Sequence, residues 1–257
     1  MAYWLDIYRF PGSIEYEYKY AGRYGAKGEK RGKRKKPTPE QIKKQNQRNR
    51  TKRMARLIKA NFEEGDLWCT LKYPKGTRIP IEQVSRDLKN FIRALKYQFS
   101  KRGQPFKWIY RIEVGKRGGV HIHMVIGRIR GEPDTDQLIQ EKWIHGRVNF
   151  QNLQKSETYA DLAGYITKEP EEMEGQIALF PEEEQKKLIK YSCSRNLIRP
   201  KPERKSYQHW TMKRILEEGP KASEGYYIKK ESVISGINPY TGMSYLRYEE
   251  YQIGGGG

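Results

Sequence analysis

The chain has 257 residues, with 51 Lys and Arg against 31 Asp and Glu, a formal charge of +20 and a pI near 9.7. This balance favours a polyanionic partner over an acidic small molecule, and the 12% of aromatic residues offer surfaces on which single-stranded bases stack. Two cysteines, no apolar run near 18 residues and no signal-like start exclude a disulfide framework, a cysteine-rich zinc site and a membrane span. We therefore expect a cytoplasmic protein with no membrane partner.

Residues 1–65 are predicted to form N-terminal strands, a basic arm and a basic helix. Residues 2–24 alternate in the manner of one or two strands. Residues 25–37 are basic and contain glycine, which predicts an arm that is flexible until it meets phosphates. Thr38 begins a long basic helix that runs to about Phe62 and either covers a sheet or lies along DNA, the latter being favoured slightly. The arm residues assigned to DNA binding are Lys33, Arg34, Lys35 and Lys36.

Residues 66–170 carry the order strand, helix, strand, strand, helix, strand, followed by one more helix. The predicted elements are strand 66–73, helix 81–101, hairpin 106–126, helix 134–144, strand 146–150 and a helix from about 157 to 168. This βαββαβ order predicts an α+β fold with a central antiparallel sheet on the ferredoxin-like plan. We expect the helices on one face and the other face left for substrate.

The most informative stretch is His121-Ile122-His123, inside an apolar strand. Because side chains alternate along a strand, both imidazoles point one way while Ile122 joins the core. Glu113 on the preceding strand shares their face if it lies opposite one of them, whereas a slip of one residue would bury it. Two histidines and a carboxylate suit Mn²⁺, Mg²⁺ or a similar octahedral ion. Taken alone, the histidine pair is equally well explained as surface decoration.

The helix that follows carries a candidate nucleophile. Asp161, Tyr165 and Lys168 share one face of it, while Tyr159 belongs to its apolar stripe. We interpret Tyr159 as a packing residue and Asp161 as solvent-facing by default. Tyr165 is either a partly exposed tyrosine beside a solvated lysine or a functional hydroxyl.

Three ordered motifs resemble those of HUH endonucleases: Thr70-Leu71, His121-Ile122-His123 and Tyr165-Ile166-Thr167-Lys168. They are most similar to those of single-tyrosine rolling-circle replication initiators of small plasmids and phages. The resemblance covers about residues 66–170, and residues 191–197 also look like a segment of bacterial members. It implies that Tyr165 cuts one DNA strand, leaving a covalent 5′-phosphotyrosine and a 3′-hydroxyl that primes synthesis. Lys168 would stabilise the phenolate or clamp a phosphate, and Glu113, His121 and His123 would hold the divalent ion.

Residues 171–257 are predicted to form a basic C-terminal extension that packs on the core or binds DNA. An acidic surface loop through Glu184 leads to a short helix, residues 206–218 are interpreted as helical, and residues 225–251 are tyrosine-rich and partly β-like. Basic residues could grip a hairpin or flanking duplex, although a solvated charge run explains them about as well. The residues assigned to DNA binding are Arg195, Arg199 and Lys201.

The predicted function is a metal-dependent initiator of rolling-circle replication that nicks and rejoins single-stranded DNA at an origin. Its expected partners are single-stranded DNA, an origin hairpin with flanking duplex, and a host replication helicase and polymerase. A transposase or mobilisation relaxase with the same core is the enzyme alternative, although a mobilisation protein typically has a third metal-binding histidine where this chain has Glu113. The alternative from another class is a nucleic-acid-binding regulator that does not cut.

Overall fold

The computed structural model describes residues 2–22, 30–115, 119–129, 131–153, 159–168, 191–207 and 212–254. Over these ranges the chain is α+β with two antiparallel sheets, which confirms the predicted fold class. The chain divides into a terminal unit, residues 1–44 and 200–257, and a central unit, residues 45–199. The three consecutive domains stay a prediction. No helix in the described ranges is long and apolar enough to cross a membrane.

The central unit follows the predicted βαββαβ order. Its elements are β3 (Leu67–Lys72), α2 (Ile81–Lys101), β4 (Trp108–Val114), β5 (Val120–Ile126), α3 (Thr135–Lys142) and β6 (Val148–Asn152), followed by α4 (Ala160–Thr167) and β7 (Ser192–Cys193). The strands lie in the order β6-β3-β5-β4-β7, and every neighbouring pair is antiparallel. The arrangement is the ferredoxin-like plan with β7 added beside β4.

One face of this sheet packs against α2 and α3. Every second residue of β3 and β5 is buried in a cluster with the apolar stripe of α2. The strand residues are Leu67, Cys69, Leu71, Ile122, Met124 and Ile126, and the helix residues include Val84, Leu88, Phe91 and Leu95. Because side chains alternate, the intervening strand residues belong to the opposite face.

That opposite face is partly covered, which corrects the prediction that helices pack on one face alone. Ile109 of β4 and Val125 of β5 are fully buried in a second cluster with Ile58 of α1 (Pro39–Lys59) and Ile166 of α4. The reason lies in the last turns of α1, where Met54 also joins this cluster and gives an otherwise basic helix an apolar stripe. The candidate site lies on the part of this face that remains open.

The start of α1 confirms the predicted cap. The Thr38 amide donates to Gln41 Oε1 at 3.0 Å, and the Gln41 amide donates to Thr38 Oγ1 at 3.3 Å. These reciprocal bonds form a capping box, which satisfies two backbone donors that the first turn leaves without helical partners. Contact of α1 with DNA stays a prediction.

The terminal unit is built on a second antiparallel sheet that combines the two ends of the chain. Its strands are β1 (Tyr3–Phe10), β2 (Ser13–Tyr20), β8 (Glu203–Tyr207), β9 (Tyr226–Ile228), β10 (Ile234–Asn238) and β11 (Met243–Gln252), in the order β10-β11-β2-β1-β8 with β9 also beside β11. The helix predicted over residues 206–218 is shorter, because Ser206 and Tyr207 pair with β1 instead, and α5 covers Met212–Glu218. Ladder hydrogen bonds there outweigh a weak local helix preference.

The described part of the basic arm is held against the turn between β10 and β11. The Gly32 amide donates to the Gly242 carbonyl at 2.7 Å, and the Lys35 amide donates to the Pro239 carbonyl at 2.9 Å. Arg31 Nη2 also donates to the Tyr20 hydroxyl at 2.6 Å. These backbone bonds correct the prediction of a flexible arm for residues 30–37, whereas residues 25–29 lie outside the described ranges. The side chains of Lys33, Arg34, Lys35 and Lys36 are exposed, and their contact with DNA stays a prediction.

A buried carboxylate, Asp6, ties β1 to its two neighbouring strands. Arg204 Nε and Nη2 donate to Asp6 Oδ1 and Oδ2 at 2.6 and 2.8 Å, and Lys19 Nζ donates to Oδ2 at 3.2 Å. The hydrogen bonds from Arg204 lower the pKa of Asp6 despite the opposing effect of burial. The ion pair therefore stabilises the folded sheet as long as Asp6 is ionised.

We expect stability to fall in acid partly through Asp6. A carboxyl whose folded-state pKa is lowered stabilises the fold above its unfolded pKa of about 4, and loses that contribution as pH falls through the folded value. Asp6→Asn should lower the free energy of unfolding by about 2 kcal/mol at pH 7 and flatten its decline below about pH 4. Urea unfolding followed by circular dichroism between pH 3 and 7 measures this, with the exposed Glu64→Gln as control. Equal pH profiles for wild type and Asp6→Asn would contradict it.

Candidate active site

The β4–β5 hairpin has the register predicted from the hydrophobic pattern. Glu113 lies opposite His121, and Arg111 lies opposite His123. Ile112 and its neighbours on the other face are buried in the core. Since directly opposed residues share a face, the carboxylate and both imidazoles belong to the partly open side of the sheet.

The hydroxyl of Tyr165 contacts Glu113 and His123. It donates to Glu113 Oε2 and lies 2.9 Å from His123 Nε2, and these two partner atoms are themselves 2.8 Å apart. Three side chains from β4, β5 and α4 therefore meet at one point. Tyr165 is 38% exposed, so its hydroxyl lies in a surface site that a substrate can reach and is not sealed in the hydrophobic core.

Burial and charge fix the protonation of this cluster. The hydrogen bond with His123 lowers the pKa of Glu113 to about 2, so the carboxylate is ionised at neutral pH. Burial raises the pKa of Tyr165 above its ordinary value, and the hydrogen bond to the Glu113 carboxylate raises it further. Tyr165 is therefore a phenol that donates a hydrogen bond, and it must lose this proton to become a strong nucleophile.

Two residues of β3 hold the His123 ring. Thr70 Oγ1 lies 3.1 Å from His123 Nδ1, and the Trp68 indole stacks on the imidazole with centroids 5.5 Å apart. Trp68 also presents its edge to Tyr165 at a centroid distance of 5.8 Å. With the imidazole proton on Nδ1, where Thr70 can accept it, Nε2 carries a lone pair directed at Tyr165 and Glu113. The motif residue Thr70 thus has a physical role in orienting the histidine.

The donor types at the site fit a divalent ion. Glu113 Oε2 and His123 Nε2 are 2.8 Å apart, close to the separation of roughly 3 Å expected for adjacent ligands of an octahedral ion such as Mg²⁺. Burial lowers the pKa of His121, which favours the neutral imidazole that can bind a metal. The ring centroids of the two histidines are 6.2 Å apart, and in the described part of the chain no three His, Cys, Asp or Glu side chains are arranged to hold a metal. The three-ligand metal site stays a prediction.

Arg111 is a site residue that the sequence analysis missed. Its guanidinium is buried, and Nη1 donates to the carbonyls of Tyr165, Ile166 and Lys168 at 3.1, 2.9 and 2.7 Å. Carbonyls at the end of a helix lack partners within it, and a cation there also interacts favourably with the helix dipole. Arg111 therefore fixes the end of α4 to β4, two residues from Glu113. An arginine on the same strand face as Glu113 was the available signal.

The helix α1 holds the same end of α4. Gln47 Nε2 donates to the Thr167 carbonyl at 2.7 Å, and the hydroxyls of Thr51 and Thr167 are 2.9 Å apart. These contacts reach α4 through Thr167, the residue that ends the helix, two positions after Tyr165. The basic helix therefore contributes to the position of Tyr165.

The remaining predicted residues of α4 have different surroundings. Tyr159 is buried in the second cluster, which confirms packing, and its left-handed backbone (φ 48°) precedes a helix that begins later than predicted. The predicted cap Ser156 and the predicted stop Pro170 lie outside the described residues. Lys168 directly follows α4 and is exposed, and its catalytic role stays a prediction.

The predicted DNA-binding residues after α4 follow the edge strand β7. Cys193 of β7 pairs with Ile109, which places this segment beside β4. Arg195, Arg199 and Lys201 are exposed. Exposed cations suit phosphate contacts, but their role in DNA binding stays a prediction.

A cleft of about 690 Å³ opens beside the nucleophile. Its walls are formed by β3, β5, β6 and α4. The residues that line it are Trp68, Thr70, His123, Asn149, Phe150, Gln151, Asp161, Leu162 and Tyr165. The volume falls within the range of about 300–1,000 Å³ that is typical of small-ligand sites.

Residues 66–170 match the sequence model of a family described as replication-associated protein, of the ORF2 and gene 2 protein type. No curated protein and no solved structure matches the chain. The matched range contains every candidate catalytic and metal-binding residue, and its limits are those of the βαββαβ core with α4. This similarity indicates a role in DNA replication and therefore contact with DNA.

Proposed function

We propose that this chain initiates rolling-circle replication by nicking and rejoining one strand of DNA through Tyr165. The observation that carries the proposal is the meeting of the Tyr165 hydroxyl with Glu113 and His123 at an accessible surface. The similarity of residues 66–170 to replication-associated proteins supports the biological setting. The net charge of +20 suits a DNA substrate.

In the proposed step the Tyr165 oxygen attacks the scissile phosphorus. As the new O–P bond forms, the bond from phosphorus to the 3′ oxygen breaks, and the 5′-phosphate stays joined to Tyr165. The phenolic proton leaves through the hydrogen bond to Glu113, and the departing 3′ oxygen takes up a proton to become the hydroxyl that primes synthesis. Lys168 is positioned in sequence to neutralise a nonbridging phosphate oxygen or the phenolate.

The residues that would hold Mn²⁺ or Mg²⁺ are Glu113, His121 and His123. The chemistry that such an ion supplies when bound is polarisation of the scissile phosphate. Thr70 and Trp68 keep the His123 ring in place. Because the phosphotyrosine link conserves the energy of the broken bond, attack by a 3′-hydroxyl reverses the step and rejoins the strand without ATP.

The proposal is tested with a 3′-labelled single-stranded DNA library carrying randomised bases. Since the 3′ fragment stays on the protein, a labelled band of increased mass on a denaturing gel reports the covalent product. We expect this band with Mn²⁺ or Mg²⁺ and its loss in EDTA. Binding of the library without a covalent product under any divalent ion would instead favour the regulator that does not cut.

The metal ligands give a separate prediction. His121→Ala and His123→Ala should each lower Mn²⁺ affinity, measured by calorimetry, by about 10-fold or more, and should lower adduct formation in parallel. His145→Ala is the matched control, because His145 contacts Asp87 and the rings of Tyr73 and Trp143 and not the candidate site. Unchanged Mn²⁺ binding in both His121→Ala and His123→Ala would reject the proposed ligands.

A further inference from the structure

The cleft beside Tyr165 has a floor formed by the edge of the central sheet. Asn149 of β6 lies opposite Thr70, and Gln151 lies opposite Trp68. Thr70 in turn lies opposite His123. A continuous row of side chains therefore leads from the candidate catalytic histidine to the amide side chains on the edge strand.

The groups in this cleft suit a nucleobase better than a phosphate. Among the described residues that line it there is no lysine or arginine, and Asp161 contributes a carboxylate. A carboxylate repels phosphate but accepts hydrogen bonds from an exocyclic amino group. Amide side chains such as Asn149 and Gln151 can donate to and accept from one base edge together, and the Trp68 indole adds an aromatic surface for a base.

We propose that this cleft binds the base of a nucleotide next to the scissile phosphate, with Asn149, Gln151 and Asp161 selecting bases that carry an exocyclic amino group. The inference rests on the proposed function only in placing that nucleotide next to the cut. Adenine and cytosine offer such an amino group, whereas thymine offers none. The edge strand β6 thereby contributes to the choice of the nick site, and thymine is disfavoured at one or two positions.

The experiment measures binding without cutting. Tyr165→Phe protein selects from a randomised single-stranded DNA library, and the bound molecules are sequenced. We expect thymine to be depleted on the order of 10-fold at one or two neighbouring positions. Adding Asn149→Ala and Gln151→Ala should remove this depletion while other preferences persist. Asn90→Ala, an exposed residue on α2, is the matched control and should leave it unchanged.

The outcomes separate this inference from the proposed function. A library selected without thymine depletion, or depletion that survives loss of both amides, would overturn the base site. Amide-dependent depletion by a protein whose wild type forms no covalent product would support the base site and reject the nicking activity. Circular dichroism of the double amide variant checks that β6 remains folded, as expected for two exposed residues of an edge strand.

Discussion

Tyr165→Phe is expected to abolish covalent adduct formation with single-stranded DNA, by about 1,000-fold or more, while leaving the fold intact. The substitution removes the attacking oxygen but keeps the ring that packs edge-on against Trp68. The rate of appearance of the 3′-labelled adduct measures the effect. DNA affinity should stay within a few-fold of wild type, because the nucleophile acts in the chemical step.

Tyr159→Phe is the matched control on the same helix. Tyr159 is buried in the cluster beneath α4, whereas the Tyr165 hydroxyl faces Glu113 and His123. Tyr159→Phe should therefore retain most of the adduct-forming activity. Persistence of the adduct in Tyr165→Phe would reject the assigned nucleophile.

Arg111→Met is expected to lower the free energy of unfolding of the central unit by about 3 kcal/mol. The variant leaves the carbonyls at the end of α4 without their buried donor, and this cost exceeds the gain from burying an apolar side chain. Urea unfolding measures the change. Arg86→Met is the control, because Arg86 is exposed on α2, and its effect should stay within about 0.5 kcal/mol.

Arg111 acts on catalysis through the position of Tyr165. Under conditions where Arg111→Met is folded, the maximal rate of adduct formation should fall about 10-fold or more. The DNA concentration at half-maximal rate should change much less, since the guanidinium bonds protein carbonyls. Wild-type stability together with a wild-type maximal rate would contradict the role of this residue.

The sequence was most informative where alternation and turn residues act locally. The register that puts Glu113 opposite His121 follows from the burial of Ile112 and Ile122, because a slip of one residue would have reversed both faces. The bounds of α2 follow likewise from its apolar stripe. Local patterns of this kind specify elements and faces.

The rest depended on partners distant in the chain. Tyr3 pairs with Tyr207, and strand pairing through backbone groups leaves no trace in the spacing of side chains. Arg111 was overlooked for a related reason: a charge in a strand is usually exposed, and its acceptors are backbone carbonyls on another element. The contact of the arm with the β10–β11 turn is also made by backbone atoms.

Mass spectrometry of the covalent protein–DNA adduct tests the central claim most directly. After nuclease and protease digestion, the account predicts a single modified peptide carrying a 5′-linked nucleotide on the oxygen of Tyr165. A nucleotide attached to another residue, Tyr159 included, would contradict it.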